Sequence, residues 1–349
     1  MYDVTIAIPL YNAEQYIGTT MNSALEQTFQ NIEFLIIDDA GKDNSIGIIH
    51  DLQKTHSRGK NIRIIEHKEN SGVAIARNTA IKEARGKYLY FLDSDDIITQ
   101  DCIEILYNAI EQNNSEIAIA SHRHISEGNK ELVFKLPYLV INEKDKLATL
   151  RYGNLHQSLG FFIWNIMYRL SFLQDHQLYF KNHSIGEDIV FLYDLLPQIQ
   201  SCVLLPNITY SYIKRKASLS QYGERKLISK QEIEEQIQIR IYGKEKIKEL
   251  RDKPYIEEMV TNQMKYCFEA AAYIVSQRKL ISPVLELQKI KELLKHPLQL
   301  KEILKFKKYK ISNCLYFYWG KLPLGITIML LICFLKLLKL SWKLRSFLK

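Results

Sequence analysis

Lys87-Tyr88-Leu89-Tyr90-Phe91-Leu92-Asp93-Ser94-Asp95-Asp96 is the stretch from which the rest of this chain is read. Five of the six residues from Tyr88 to Asp93 are apolar or aromatic, as in a strand buried on both faces. The run then passes without a break into three carboxylates within four residues. Like charges crowded at a strand end repel, and a folded chain holds them most readily around a cation. In open parallel sheets, ligands bind just beyond the carboxyl ends of the strands. The stretch therefore predicts a metal-binding carboxylate cluster at the mouth of such a sheet. Taken alone, Asp-Ser-Asp-Asp reads equally as a solvated acidic loop that caps the next helix, so its neighbours must decide.

Upstream, Val4-Thr5-Ile6-Ala7-Ile8-Pro9 alternates branched apolar residues and predicts a first strand. A helix is expected from Ala13 to about Thr28. A second buried strand, Ile32 to Ile37, ends in Asp38-Asp39-Ala40-Gly41-Lys42-Asp43, with Asn44 and Ser45 suited to cap the helix that follows. Ile62 to Glu66 predicts a third strand, and Asn70-Ser71-Gly72 leads into a helix carrying Val73, Ile75, Ala76, Ala80, Ile81 and Ala84. After the acid-tipped strand come a helix from about Asp101 to Gln112 and a strand from Glu116 to Ala120. Four strand–helix alternations predict right-handed crossovers, hence an α/β fold with a mostly parallel sheet flanked by helices. Two predicted strands, in separate units, end in paired aspartates, and that coincidence outweighs the solvated-loop reading.

Downstream the pattern blurs between Glu127 and Gly160. Trp164-Asn165-Ile166-Met167-Tyr168-Arg169 follows, then an Asp175-His176 turn. Gly186-Glu187-Asp188 heads an apolar helix ended by Pro197. Two short strands are expected, Cys202 to Leu205 and Ile208 to Ile213, ahead of Lys214-Arg215-Lys216-Ala217-Ser218. From Lys226 to about Arg251, and on to about Tyr309, the chain reads as an α-helical extension. The expected partition is an α/β domain bearing the acidic cluster over 1–220, a helical extension over 221–310 and a membrane-associating tail over 311–349.

The net charge of +8 is not evenly spread: residues 301–349 carry ten Lys and one Arg against Glu302 alone, leaving the other 300 residues slightly acidic. Within the tail, the 14 residues 322–335 carry no charge. They fall short of the roughly 20 needed to span a bilayer. Lys336, Lys339, Lys343 and Arg345 then alternate with Leu337, Leu338, Leu340, Trp342 and Leu344. That is a basic amphipathic helix suited to an anionic membrane surface, with oligomerisation or a true span as the alternatives. Nucleic acid is not an expected partner, since phosphate binding needs no such greasy face. Five scattered cysteines, with no Cys-x-x-Cys pair, fit a reducing cytoplasm. With Met1-Tyr2-Asp3 running straight into a strand, the expected location is cytoplasmic, peripheral on the inner face of the cell membrane.

Taken together, the chain resembles glycosyltransferase family 2, the inverting type with a GT-A fold, of the kind found in bacterial surface-polysaccharide synthesis. The matching segments are Ile8-Pro9-Leu10-Tyr11-Asn12, Ile37 to Ser45, Asn70 to Asn78, Gly86 to Asp96, Trp164 to Arg169 and Gly186-Glu187-Asp188. They cover roughly residues 1–220 in the family's order. Two departures are visible: Asp-Asp-Ala-Gly stands where Asp-Asp-Gly-Ser is usual, and Ala80 stands where a glycine is usual.

The resemblance implies a UDP-sugar donor, a lipid-linked or oligosaccharide acceptor, and a divalent cation, Mn²⁺ or Mg²⁺, held by Asp95 and Asp93. It places Pro9, Tyr11, Asn12, Asp39, Asn70, Gly72, Arg77, Asp93 and Ser94 around the nucleotide. Asp38 is either a nucleotide contact or structural. Lys214 and Arg215 either close over the diphosphate or form a solvated loop. Departure of a nucleoside diphosphate builds negative charge, which hard cations and rigid guanidinium groups stabilise. The attacking hydroxyl needs a carboxylate base, for which Asp188 is the candidate, with Glu187 second or contacting the acceptor. Trp164 and Asn165 are expected on the acceptor side, although Trp164 suits plain packing as well. His122 and His124 share one strand face as surface or acceptor-side residues, with a metal pair as the alternative. A nucleotidyltransferase on a similar sheet is the competing enzyme, but Leu10-Tyr11-Asn12-Ala13 lacks its Gly-rich phosphate loop. A non-catalytic sugar-nucleotide or membrane adaptor is the third reading.

Overall fold

A computed structural model describes residues 2–126, 130–155, 158–160, 162–215, 228–278, 281–282, 286 and 288–333. The chain forms two compact units, Met1–Ser220 and Gln221–Lys349.

In the first unit the chain runs β1 (Tyr2–Leu10), α1 (Ile17–Leu25), β2 (Ile32–Asp38), α2 (Ser45–Thr55), β3 (Ile62–Glu66), α3 (Val73–Glu83) and β4 (Gly86–Phe91). It continues through β5 (Ile97–Ile98), α4 (Cys102–Gln112), β6 (Ile117–Ser126), β7 (Lys130–Phe134), β8 (Leu139–Ile141) and α5 (Lys146–Tyr152). Then come β9 (Ile166–Arg169), α6 (Leu170–Asp175), α7 (Glu187–Leu195) and β10 (Cys202–Ile213). One sheet takes the order β3-β2-β1-β4-β9-β6-β10-β5, with β7 on β6 and β8 on β10. Its long pairings, β1 with β2 and β4 and β6 with β10, are parallel. β9 runs antiparallel between β4 and β6, so the sheet is mixed.

The reason these segments become central strands is burial on both faces. Val4, Ile6, Ile8 and Leu10 of β1 and Phe34 and Ile36 of β2 lie in one apolar cluster with Met21, Leu25, Tyr88 and Tyr90. The one acid inside that layer, Glu33, is fully satisfied. It accepts from the Thr5 hydroxyl at 2.7 Å, Arg63 Nε at 2.8 Å and the Arg85 amide at 2.9 Å, as a buried charge requires. Gly86 opens β4 beside this knot, where a Cβ would lie 2.5 Å from the Thr5 nitrogen. Only glycine lets β4 approach β1 so closely.

Several sequence expectations shift. The first helix starts at Ile17 rather than Ala13. Asn44 caps nothing with its side chain, and Ser45 instead accepts the Ala13 amide at 2.9 Å while donating to Asp43. The two short strands after Cys202 are one strand, β10, with register shifts near Ile208. The blurred stretch holds β7, β8 and α5, short elements whose exposed strand Lys130–Phe134 carries no buried periodicity.

The second unit contains β11 (Ile228–Ser229), α8 (Lys230–Glu249), α9 (Ile256–Gln277), β12 (Ile281–Ser282), α10 (Gln288–Leu294), α11 (Leu300–Ile303) and α12 (Lys310–Lys321). Ser229 and Glu232 form a reciprocal capping box at the head of α8. Residues 324–333 are helical as well. The basic amphipathic helix expected from Lys336 to Arg345 lies outside the described residues, as does Lys216. No helix among the described residues is long and apolar enough to cross a membrane.

Candidate active site

The carboxyl ends of β2, β1 and β4 lie side by side, with β1 between the two acid-tipped strands. At about 4.8 Å per strand spacing, the tips of β2 and β4 are about 10 Å apart, a span that suits a nucleoside diphosphate. Tyr11 is exposed at the end of β1, and Asn12, at φ +48°, turns its Oδ1 to accept the Lys42 amide at 2.7 Å.

At the β2 tip the two aspartates part ways. Asp39 is buried and holds the loop before α3: it accepts from the Ser71 amide at 2.9 Å, the Gly72 amide at 2.8 Å and His67 Nδ1 at 2.7 Å. Gly72 sits at φ +90°, where a side chain is strained. Asp38 accepts the Gly41 amide at 3.2 Å, and burial, with Glu66 and Asp39 adding repulsion, raises its pKa.

At the β4 tip the three acids take three tasks. Asp96 is buried, accepting from Tyr210 Oη at 2.7 Å and from the Ile213 amide at 2.8 Å, so it ties the end of β10 to the acidic turn. Burial, then Asp93 and Asp95, push its pKa well up. Asp95 is partly exposed and receives Arg215 Nε at 3.2 Å. The Arg215 guanidinium lies 3.5 Å over the Tyr16 ring. Burial and Asp93 raise the Asp95 pKa against the opposing pull of Arg215. Asp93 receives Arg77 Nη2 at 2.9 Å.

Arg77 is the hub. Buried on α3, it spans Asp93 and Glu187 Oε1, the latter at 2.5 Å, and packs 5.5 Å from the Phe180 ring centroid. Burial alone would loosen its proton, but Asp93, Glu187 and Asp188 together outweigh it and hold the charge firmly. Gly186, at φ +70°, starts α7 so that Glu187 and Asp188 stand in its first turn. Among the described residues Asp188 forms no ion pair: its Oδ1 accepts the Ile189 amide at 2.7 Å, and Arg77 acts on it only through charge. Burial, then Glu187, push the Asp188 pKa up to about 7. Thus Arg77, Asp93, Asp95, Glu187, Asp188 and Arg215 form one cluster of bonded or electrostatically linked groups.

Two acceptor-side expectations are corrected. Asn165 has no exposed surface. It accepts from the Tyr90 and Thr209 hydroxyls and donates to the Ala120 and Ser121 carbonyls, so it pins β4, β6 and β10 together. Trp164 is 8% exposed and has both faces filled, by Phe162 at 4.1 Å and Tyr210 at 4.4 Å, which leaves no face for a sugar. His122 is likewise buried, stacked on Phe134. Burial first, then His124, lower its pKa to about 3. Ser94, through its carbonyl, accepts the Thr20 hydroxyl at 3.1 Å. Asn70 and Lys214 are exposed. Tyr16 and His67 receive no role from the sequence, and Asp96 reads there only as part of the acidic cluster: each meets its partner across 28 or more residues, and no local pattern announces such a meeting.

Among the described residues no group of three or more His, Cys, Asp or Glu is arranged to hold a metal ion. The acidic turn nevertheless fits a hard cation, since burial and then Asp93 raise the pKa of Asp95, burial and then Asp93 and Asp95 raise that of Asp96, and Asp95 keeps an exposed carboxylate. One or two protein carboxylates plus substrate phosphates is the usual way of holding Mg²⁺.

The model of the family described as Glycosyl transferase family 2 matches residues 5–175. Glycosyltransferase GlyA of Streptococcus pneumoniae is 30% identical over 229 residues, covering 64% of this chain but 32% of its own length. An uncharacterized glycosyltransferase of Haemophilus influenzae is 34% identical over 178 residues, covering 46% of this chain and 70% of its own. Among solved structures, residues 1–349 of S. aureus TarS in complex with UDP-GlcNAc superpose with a TM-score of 0.68 at 16% identity. The match covers 91% of this chain and 90% of that one. This likeness shows the fold: GT-A, followed by a helical extension.

Proposed function

The chain belongs to glycosyltransferase family 2, and from that premise we propose an inverting glycosyltransferase. It moves a hexose or N-acetylhexosamine from a UDP-sugar to a hydroxyl of a lipid-linked or surface-glycan acceptor. The observation that carries this reading is the clasp of Arg77 on Asp93 and Glu187, which links the donor-side acids to a carboxyl tuned as a base, Asp188. The complex of TarS with UDP-GlcNAc supports the donor class.

The nucleoside end of the donor lies along Pro9, Tyr11, Asn12, Asp38, Asn70 and Gly72, over the loop that Asp39 fixes. The diphosphate reaches Asp93, Ser94 and the cations of Arg215 and Lys214. Asp95 and Asp93 would hold a divalent ion, which would supply positive charge to offset that building on the departing diphosphate. Asp188 takes the proton of the acceptor hydroxyl as its oxygen bonds to the anomeric carbon. The carbon–phosphate-oxygen bond breaks with its electron pair leaving on UDP, so one displacement inverts the centre. Glu187, neutralised by Arg77, orients the acceptor. Arg77 does not touch the reacting atoms; it positions the carboxylates.

The membrane side of the proposal rests on the second unit. Ile311, Leu315 and Tyr318 stand exposed on α12 at helical spacing, Ile311 at 78%, a stripe suited to an interfacial helix. With the basic tail, it favours attachment to the inner face of an anionic membrane. The deciding experiment measures UDP release from a panel of UDP-sugars with Mn²⁺ or Mg²⁺ and extracted lipid-linked acceptors. Turnover lost in Asp188→Asn supports the proposal. UDP binding without turnover on any acceptor identifies an adaptor instead, and pyrophosphate release from a nucleoside triphosphate identifies a nucleotidyltransferase.

A further inference from the structure

The second unit contains an open cavity of about 860 Å³ between α8, α10 and α12, remote in sequence from every residue of the proposed active site. Pockets of this size hold small ligands. Its walls are built firmly. Lys244 is buried and donates to the Glu292 and Leu293 carbonyls at the end of α10. Lys291 donates to the Gly320 and Leu322 carbonyls at the end of α12. Gly320 lets the two helix ends meet, because a Cβ there would lie 2.5 Å from the Leu294 oxygen. His296 spends both ring nitrogens on the wall, at Leu298 and Asn313.

What remains is charge without a carboxylate partner. Lys248, Lys295 and Lys321 also line the cavity, and none of the three forms an ion pair among the described residues, although Lys321 lies 4.2 Å over the Phe317 ring. Five lysines face it against two glutamates, Glu245 and Glu292. Burial lowers the pKa of Lys244, and Lys248 and Lys295 add to that by repulsion. Ile241, Leu298 and Phe317 supply an apolar floor. Such a concave cationic site focuses field on an anion, and lysine point charges suit phosphate.

We propose that this cavity binds the phosphate or diphosphate head of an amphiphile, with Lys248 and Lys295 gripping the anion and the apolar floor taking the adjoining chain. The site is built entirely from residues of the second unit and does not depend on turnover. The same head chemistry occurs free in solution and on a lipid, and the test separates the two.

Full-length protein is compared with Lys248→Glu/Lys295→Glu and with Lys54→Glu/Lys60→Glu, a control of equal charge whose changes lie on exposed residues of the first unit. Thermal midpoints are read with and without inorganic pyrophosphate. Co-sedimentation is read on phosphatidylcholine vesicles with and without phosphatidylglycerol. A pyrophosphate-induced rise present in wild type and control but lost in the cavity variant supports the proposal for a free phosphate. Loss of phosphatidylglycerol-dependent sedimentation in the cavity variant alone supports it for a lipid head. If cavity variant and control behave alike with both probes, the proposal is overturned. Lys248→Gln/Lys295→Gln repeats the comparison should charge reversal disturb folding, and is read by the same outcomes.

Discussion

Arg77 donates a 2.5 Å hydrogen bond to Glu187, 110 residues further along the chain, and both side chains are buried. This bond carries the helix head of α7 onto the acidic end of β4. Arg77→Ala strands the Glu187 and Asp93 carboxylates without their cation. Breaking a buried pair in this way costs about 3–5 kcal/mol. Urea unfolding is expected to show that loss, and Arg77→Lys, which lacks the fork, is expected to recover it only in part.

Asp188 gives two opposite pH dependences. A base must be ionised to accept a proton, so kcat/KM is expected to rise with pH through about 7. Stability runs the other way. The folded value stands above the ordinary 3.8, so between these limits the folded protein keeps a proton that the unfolded chain has lost. Stability from this group is complete below 3.8 and falls as pH rises through about 7. Asp188→Asn is expected to reduce kcat by about 10²–10⁴-fold, leave UDP affinity unchanged by calorimetry, and flatten the stability loss over that pH window.

Arg215 shares a half-exposed carboxylate with any ion that Asp95 recruits. The Arg215–Asp95 pair contributes at most about 1 kcal/mol to the fold, so Arg215→Ala is expected to unfold at nearly the wild-type urea concentration. Donor binding responds differently: losing a charge-assisted contact to the diphosphate costs about 1.5–3 kcal/mol, roughly 10–100-fold in donor KM. Chelation by EDTA is expected to abolish turnover, with recovery on adding Mn²⁺ or Mg²⁺ in wild type and not in Asp95→Asn.

Asn165→Ala removes a side chain bonded on all sides in the core and leaves buried carbonyls and hydroxyls unpaired, at about 1–3 kcal/mol. Its φ of +55° adds strain for alanine. The melting temperature is expected to drop, while acceptor KM, measured well below the melt, stays at the wild-type value.

Legibility in the sequence followed the range of the interactions. β1, β2, β3 and β4 are apolar runs closed by turn residues, and α3 and α7 carry their own periodicity, so the sheet core and both acid-tipped strands could be read directly. Asn165 could not, because its environment is made by Tyr90, Ala120 and Thr209, each at least 44 residues away. A Trp-Asn pair beside a blurred segment looks like a binding edge until a strand closes over it. The division of labour between Asp95 and Asp96 was hidden for the same reason: adjacent and identical in type, they are separated by Tyr210 and Arg215, which arrive from the far side of the sheet.

β9 runs antiparallel between β4 and β6, and this bears on how such a protein diversifies. The loop after β2, the acidic turn after β4 and Arg77 on α3 lie on one side of that strand, while Arg215 at the end of β10 and the α7 head reach them from beyond it. The short elements between β6 and β9 hang on the opposite side, anchored mainly through β6 and β10. Substitutions and insertions there can accumulate without disturbing the nucleotide grip. A lineage could therefore change the molecule it glycosylates while inheriting its donor chemistry intact.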